Sequence, residues 1–245
     1  MKIAEVKNAC YNVGDELIMS GVCKILKQND FYVKLFLKRH PELFENNINV
    51  DQIVFEPWKD EDLKENKMLD VLNLNEYVKT FDIDIPYKIT PEMYLSKEEI
   101  QFGIEEIKKI KDDRIIVCFV PHSATSPASL SNGWDKIVFD KDLLKEIQFV
   151  YFGQEKYEGM KNFNKFNIRQ IASIIRCCNL YMGINTGLYH IAKCFKLKGF
   201  IVNRKICKEH WGYNDDFHFE NFSSSDDFLQ EFKKEYKNFV KDATC

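Results

Sequence analysis

No two cysteines of this chain form a Cys-x-x-Cys pair, and no histidine cluster stands beside them. The eight cysteines fall at positions 10, 23, 118, 177, 178, 194, 207 and 245, a spacing that matches no zinc site. Cys118, Cys177, Cys178 and Cys194 lie inside apolar runs, so they are expected as reduced thiols packed in a core. No apolar stretch reaches the length of a membrane span before a charge breaks it. Met1 leads straight into a strand pattern rather than a signal sequence, which points to the cytoplasm. A net charge of −3 gives no whole-molecule attraction for nucleic acid. Gly-x-Gly-x-x-Gly, P-loop, Ser-His-Asp and zincin patterns are all missing, as is any internal repeat. Neither a metal nor a cofactor is expected.

What is present is alternation. Strands are predicted at Lys2–Val6, Phe31–Leu37 and Asp51–Phe55, with a helix over Glu16–Lys27 and a short one over Arg39–Asn46 that starts near Pro41. After a weakly patterned stretch with one helix near Met68–Thr80, Ser96 and Glu99 form a capping-box pattern that opens a helix to Lys111. A second run follows: strands at Ile115–Val120, Gln148–Phe152, Asn179–Met182 and Lys198–Val202, with helices at Trp134–Lys145, Ile168–Cys177, Leu188–Phe195 and Asp226–Lys241. Strand, helix, strand in repetition is the signature of parallel sheets. An α/β fold of two Rossmann-like domains is expected, spanning 1–100 and 101–245, with the strand C-termini facing across a cleft.

Chemistry concentrates at the loops that follow strands. Gly183-Ile184-Asn185-Thr186-Gly187-Leu188-Tyr189-His190 runs from a strand into a helix through a small polar turn. Such a turn leaves backbone N–H groups and the positive end of a helix dipole open to an anion such as a diphosphate. The plain alternative is a helix junction capped by Asn185 or Thr186. In the first loop, Gly14-Asp15-Glu16 places a carboxylate where it can serve as a general base, or simply cap the helix. Pro121-His122-Ser123-Ala124-Thr125-Ser126 offers hydroxyls for a diphosphate, or is a solvated serine-rich loop. After Gly153, Glu155 or Glu158 can accept from ribose hydroxyls, or belong to a surface turn. His190 reads more readily as a packed histidine than as a catalyst. Lys193, Lys196, Lys198, Arg204, Lys205 and Lys208 read mostly as a solvated basic face, and Asp82-Ile83-Asp84 lacks the strand context of a metal motif.

Taken in order, these segments resemble the bacterial lipopolysaccharide heptosyltransferase family, inverting glycosyltransferases of the GT-B fold. The resemblance rests on Gly14-Asp15-Glu16-Leu17-Ile18, on Pro41 to Phe44 with Asn49 to Val54, on Trp134, and above all on Asn185 to Ala192. It covers most of the chain, with a shortened N-terminal domain. It implies that Asp15 is the catalytic base and that Gly14, Ser123, Thr125, Trp134, Asn185, Thr186, Gly187 and His190 line the substrates. Glu155 or Glu158 would hold the ribose. The implied reaction is metal-independent transfer from a nucleotide-diphosphate sugar to a hydroxyl of a glycan or glycolipid acceptor. The place of action would be the cytoplasm, with peripheral contact at the inner membrane face as an option. Three departures stand out: Gly21 where many members have Pro, Asn185 for the usual Asp, and Asn132-Gly133 where a Lys normally precedes Trp134. Two other readings stay open. Asn12-Val13-Gly14-Asp15-Glu16-Leu17-Ile18 also resembles the opening of polysaccharide pyruvyltransferases, and a non-catalytic nucleotide-binding protein is the third option.

Overall fold

The structure, a computed structural model, describes residues 2–7, 12–56, 74–85, 89–110, 112–122, 134–153, 157, 160–202, 213, 216–219 and 224–244. The N-terminal lobe holds β1 (Lys2–Lys7), β2 (Phe31–Leu37) and β3 (Gln52–Phe55), paired in parallel in that order. Phe31, Val33, Leu35 and Leu37 of β2 are buried and the residues between them are not, the two-residue period of a strand with one face on a core. Helix α1 (Val13–Gln28) starts three residues before the predicted Glu16. Asn12 is its N-cap, in an extended conformation, and its carbonyl accepts from Glu16 N–H at 3.0 Å. Gly14 and Asp15 therefore sit in the first helical turn rather than in a loop. The helix predicted over Arg39–Asn46 is only a 3-10 turn, Pro41–Phe44. Of the helix predicted near Met68–Thr80, α2 (Leu74–Lys79) lies within the described residues.

Helix α3 (Lys97–Lys108) begins with the predicted capping box, Ser96 and Glu99 bonding each other's backbone. Its middle includes residues 100 and 101, where the domain boundary was expected. The C-terminal lobe holds β4 (Ile115–Val120), β5 (Ile147–Tyr151), β6 (Leu180–Ile184), β7 (Lys198–Val202) and β8 (Phe217–Phe219), all parallel, in the order β5-β4-β6-β7-β8. Strand β6 is buried along its whole length, as expected for a parallel strand covered on both faces. One face is covered by α4 (Trp134–Val138), α5 (Leu143–Glu146) and α8 (Ser225–Thr244). The other is covered by α6 (Ile168–Arg176) and α7 (Gly187–Cys194). The single helix predicted over Trp134–Lys145 is broken because the Asp140 carboxylate accepts from the N–H groups of Asp142 and Leu143, starting a new turn.

The lobes share one core. Apolar side chains of β1, α1 and β2 are continuous with those of β4, α6 and α7. Residues 89–95 cross the outer side of α1, where Ser20 Oγ accepts from Glu92 N–H at 2.6 Å. The crossing needs Gly21: a Cβ there would lie 2.3 Å from the Thr90 carbonyl oxygen. Gly21→Ala is expected to destabilise by roughly 1–3 kcal/mol through overpacking, read as a lower midpoint of urea unfolding. An unchanged midpoint would mean that the crossing segment moves freely.

Arg169 of α6 is the polar tie between lobes. Its guanidinium donates to the carbonyls of Glu42 (2.7 Å) and Tyr94 (2.8 Å) and pairs in a fork with the Glu99 carboxylate. That guanidinium holds the Glu99 carboxyl below the usual carboxylate range. The 3-10 turn, the crossing segment and α3 are thus fastened to one side chain.

Candidate functional site

The C-terminal sheet reverses direction between β4 and β6. From β4 the chain goes out to β5 on one side and returns to β6 on the other, so the segments leaving β4 and β6 diverge. A crevice at such a point, beyond the strand C-termini, is where open α/β sheets bind ligands. Pro121 and His122 leave one side of it. Asn185, Thr186 and Gly187 leave the other, all half-buried.

Thr186 is the N-cap of α7, in an extended conformation (φ −145°, ψ 174°), but its hydroxyl makes no capping hydrogen bond. Instead Thr186 Oγ1 lies 3.4 Å from Tyr181 Oη, which donates to the Ile184 carbonyl at 2.7 Å. Tyr189 N–H donates to the Thr186 carbonyl at 3.0 Å, a tight i+3 bond, and His190 N–H reaches the same carbonyl at 3.4 Å. The Thr186 hydroxyl thus takes none of the first-turn amides of α7.

Helix α1 brings a second N-terminus to the same place. A Cβ on Gly14 would lie 2.6 Å from His190 Cδ2, and one on Gly187 would lie 2.8 Å from Val13 Cβ. Only glycines allow the two first turns to touch. Asn12 also makes no side-chain cap; its amide donates to Asp15 Oδ2 at 3.1 Å. Two helices, one from each lobe, therefore point their positive ends at one region.

Asp15 is the acid of that region. It is the third helical residue of α1, and its carboxylate accepts from the side chain and backbone of the N-cap residue Asn12, so a part in the helix start stands beside the reading as a base. Burial raises its carboxyl above the ordinary carboxylate range. The hydrogen bonds from the Asn12 side chain and backbone act against this, and the neighbouring Glu16 charge adds a smaller push upward. An acid shifted in this direction is a better proton acceptor than a solvated one.

The other predicted residues divide. Gly14, Asn185, Thr186, Gly187 and His190 gather with Asp15 around the two helix starts. His190 is buried, with Nδ1 2.9 Å from Tyr213 Oη, so it packs as expected while its other edge faces Gly14. Trp134 is not brought to this region. It is 1% exposed, wedged between Phe119 and Phe228 in the core under α8. Ser123, Thr125, Glu155 and Glu158 lie outside the described residues, as do Arg204, Lys205 and Lys208. Lys193 is not part of a solvated face: it is buried and bonds Asp216 at 2.9 Å, and Asp216 also accepts from Tyr189 and from Gly199 N–H. Cys118 and Cys178 are buried free thiols, as read from their apolar runs, and Cys177 and Cys194 are partly exposed. Among the described residues no group of His, Cys, Asp and Glu could hold a metal ion, and no helix is long and apolar enough to cross a membrane.

Sequence reasoning gave no role to Asn12, Tyr181, Tyr213 or Glu16. Asn12 carried a signal, an amide three residues before Asp15. The tyrosines carried none, since they act from other elements.

No protein-family model and no curated protein sequence matches the chain. Solved structures do. The glycosyl transferase family 9 structure from Veillonella parvula superposes with a TM-score of 0.69 at 12% identity, over 96% of this chain and 89% of that one. The ADP-heptose lps heptosyltransferase II of E. coli gives 0.66 at 12% identity, over 96% and 98%. The E. coli heptosyltransferase WaaC with ADP gives 0.61 at 8% identity, over 96% and 99%. The chain has the fold of these proteins, the GT-B fold of two α/β lobes with parallel sheets.

Proposed function

We propose that this protein is a glycosyltransferase of the heptosyltransferase type, using a nucleotide-diphosphate sugar as donor. One observation carries the reading: two helix N-termini without side-chain caps, one from each lobe, meet at the switch point of the C-terminal sheet beside the raised carboxyl of Asp15. The donor diphosphate would rest on the first turn of α7, with the Thr186 hydroxyl and the Gly187 backbone against it. Solved neighbours were obtained with ADP and with ADP-2-deoxy-2-fluoro heptose, which supports a donor of this class.

The reaction we infer is a single displacement with inversion. Asp15 takes the proton from the acceptor hydroxyl as its oxygen attacks the anomeric carbon. The bond from that carbon to the diphosphate breaks, and the nucleoside diphosphate leaves with the electron pair. Backbone donors stabilise the charge that grows on the leaving group, so neither an acid catalyst nor a metal is required. A single carboxylate suffices, unlike glycoside hydrolysis with its carboxylate pair. The acceptor would be a hydroxyl of a glycan or glycolipid.

Thermal melting with ADP, UDP, GDP and phosphoenolpyruvate tests the donor site. A nucleoside diphosphate at about a hundred times its dissociation constant adds roughly 2.7 kcal/mol of stability. For a chain of this size that means a rise of about 5–11 °C. A rise with phosphoenolpyruvate alone would replace this reading with a pyruvyltransferase-like one. Nucleotide binding without turnover of any nucleotide sugar on glycan or glycolipid extracts would leave a binding protein only.

A further inference from the structure

Glu16 follows the candidate base in sequence, and its carboxylate is fully buried. Its oxygens take three consecutive backbone donors at the end of β2: Oε1 accepts from Lys38 N–H (2.8 Å) and Arg39 N–H (2.9 Å), and Oε2 accepts from His40 N–H (2.8 Å). A run of three amides converging on one point is a concavity made for an anion. Here the anion belongs to the chain itself. From the geometry we infer that Glu16 is a positioning residue, which clamps the turn at residues 38–40 across the first turn of α1 and so fixes the N-lobe wall beside Asp15.

The inference rests on the reading of Asp15 as the base, but the clamp has its own chemistry. The segment follows the end of β2, and the 3-10 turn Pro41–Phe44 comes directly after it. Without the carboxylate, three consecutive amides would lose their acceptor together. Asp15 is itself buried in the same helical turn, and the Glu16 charge adds a smaller upward push on its carboxyl. One residue thus shapes the wall and maintains the basicity of its neighbour.

Glu16→Gln separates these roles with little change in shape. An amide can turn its oxygen to the Lys38 and Arg39 donors, but its NH2 then faces the His40 N–H. Residue-resolved amide exchange on the full chain should show His40 exchanging at least about tenfold faster, with Lys38 and Arg39 still protected. Carbon-detected NMR titration should find the Asp15 carboxyl moved down toward the ordinary range. Unchanged protection at His40 would overturn the clamp. A faster His40 with Asp15 titrating as before would overturn the positioning role and leave a loop anchor. If the variant does not fold, strong protection of all three amides in the native protein, and their partial loss in Glu16→Asp, carry the same decision. ADP calorimetry run alongside reads the donor site separately: no ADP binding by the native protein defeats the proposed function, while the exchange data still decide the clamp.

Discussion

Asp15→Asn is expected to abolish sugar transfer while leaving nucleotide binding intact. Removal of a general base costs about a hundred- to ten-thousand-fold in kcat. The change conserves size, and Asn can still accept from the Asn12 amide, so the donor dissociation constant should stay within about twofold by calorimetry. The pH profile carries a second signature. Because burial raises the Asp15 carboxyl, the acid limb of kcat/KM should lie above the ordinary carboxylate value of about 4. Stability moves in the opposite direction. A carboxyl that holds its proton more tightly in the folded state contributes stability at low pH. That contribution is lost as pH rises from the ordinary value through the raised one. At neutral pH the buried charge is a burden, so Asp15→Asn should melt no lower than the native protein and somewhat higher if burial dominates. Full activity in the variant, or loss of nucleotide binding with it, would remove Asp15 from the role of base.

Arg169→Met should have the largest effect on stability. The guanidinium is 7% exposed and serves two carbonyls and a carboxylate at once. Removing one partner of such a buried pair costs about 3–5 kcal/mol, which for a chain of this length lowers the melting temperature by roughly 6–20 °C. Glu99 gives the loss a pH dependence. Its carboxyl is held below the ordinary value by Arg169, so the pair contributes stability above that value and loses it as pH falls through the lowered one. In Arg169→Met that part of the acid sensitivity should shrink. Melting curves recorded from acid to roughly neutral pH check both statements. A loss below about 1 kcal/mol would mean that the lobes are joined by apolar packing alone.

The fold was legible wherever a local period could carry it. The two-residue alternation of Phe31–Leu37 and the buried run at Lys198–Val202 gave strands with the bounds found in the structure. Ser96 with Glu99 marked a helix start because capping is settled within four residues. Strand β8 has only three residues, too few for a period to show, and it was not predicted. The break between α4 and α5 depends on which donors Asp140 reaches, which composition does not reveal. The site was legible in its small residues and its acid. Asn12, Gly14, Asp15 and the Asn185 to His190 segment are contiguous motifs. What was missed is non-local: Glu16 reaches residues 22 to 24 positions away, and Arg169 reaches a carbonyl 75 positions back. Lys193 was read as solvated because its partner, Asp216, arrives from just before β8, 23 residues on. Trp134 fitted a motif but fills the interior, where its indole N–H has no acceptor among the described residues.

The unbroken apolar mass under both sheets bears on how the molecule comes apart. The smaller sheet has no interior of its own, because Val33 and Leu35 share theirs with Cys118 and Tyr189. The N-terminal half therefore cannot keep its interior once the shared core opens, whereas the C-terminal half has a second apolar core on its other face. Occupancy of the crevice then steadies the entire chain, including strands that never meet the ligand.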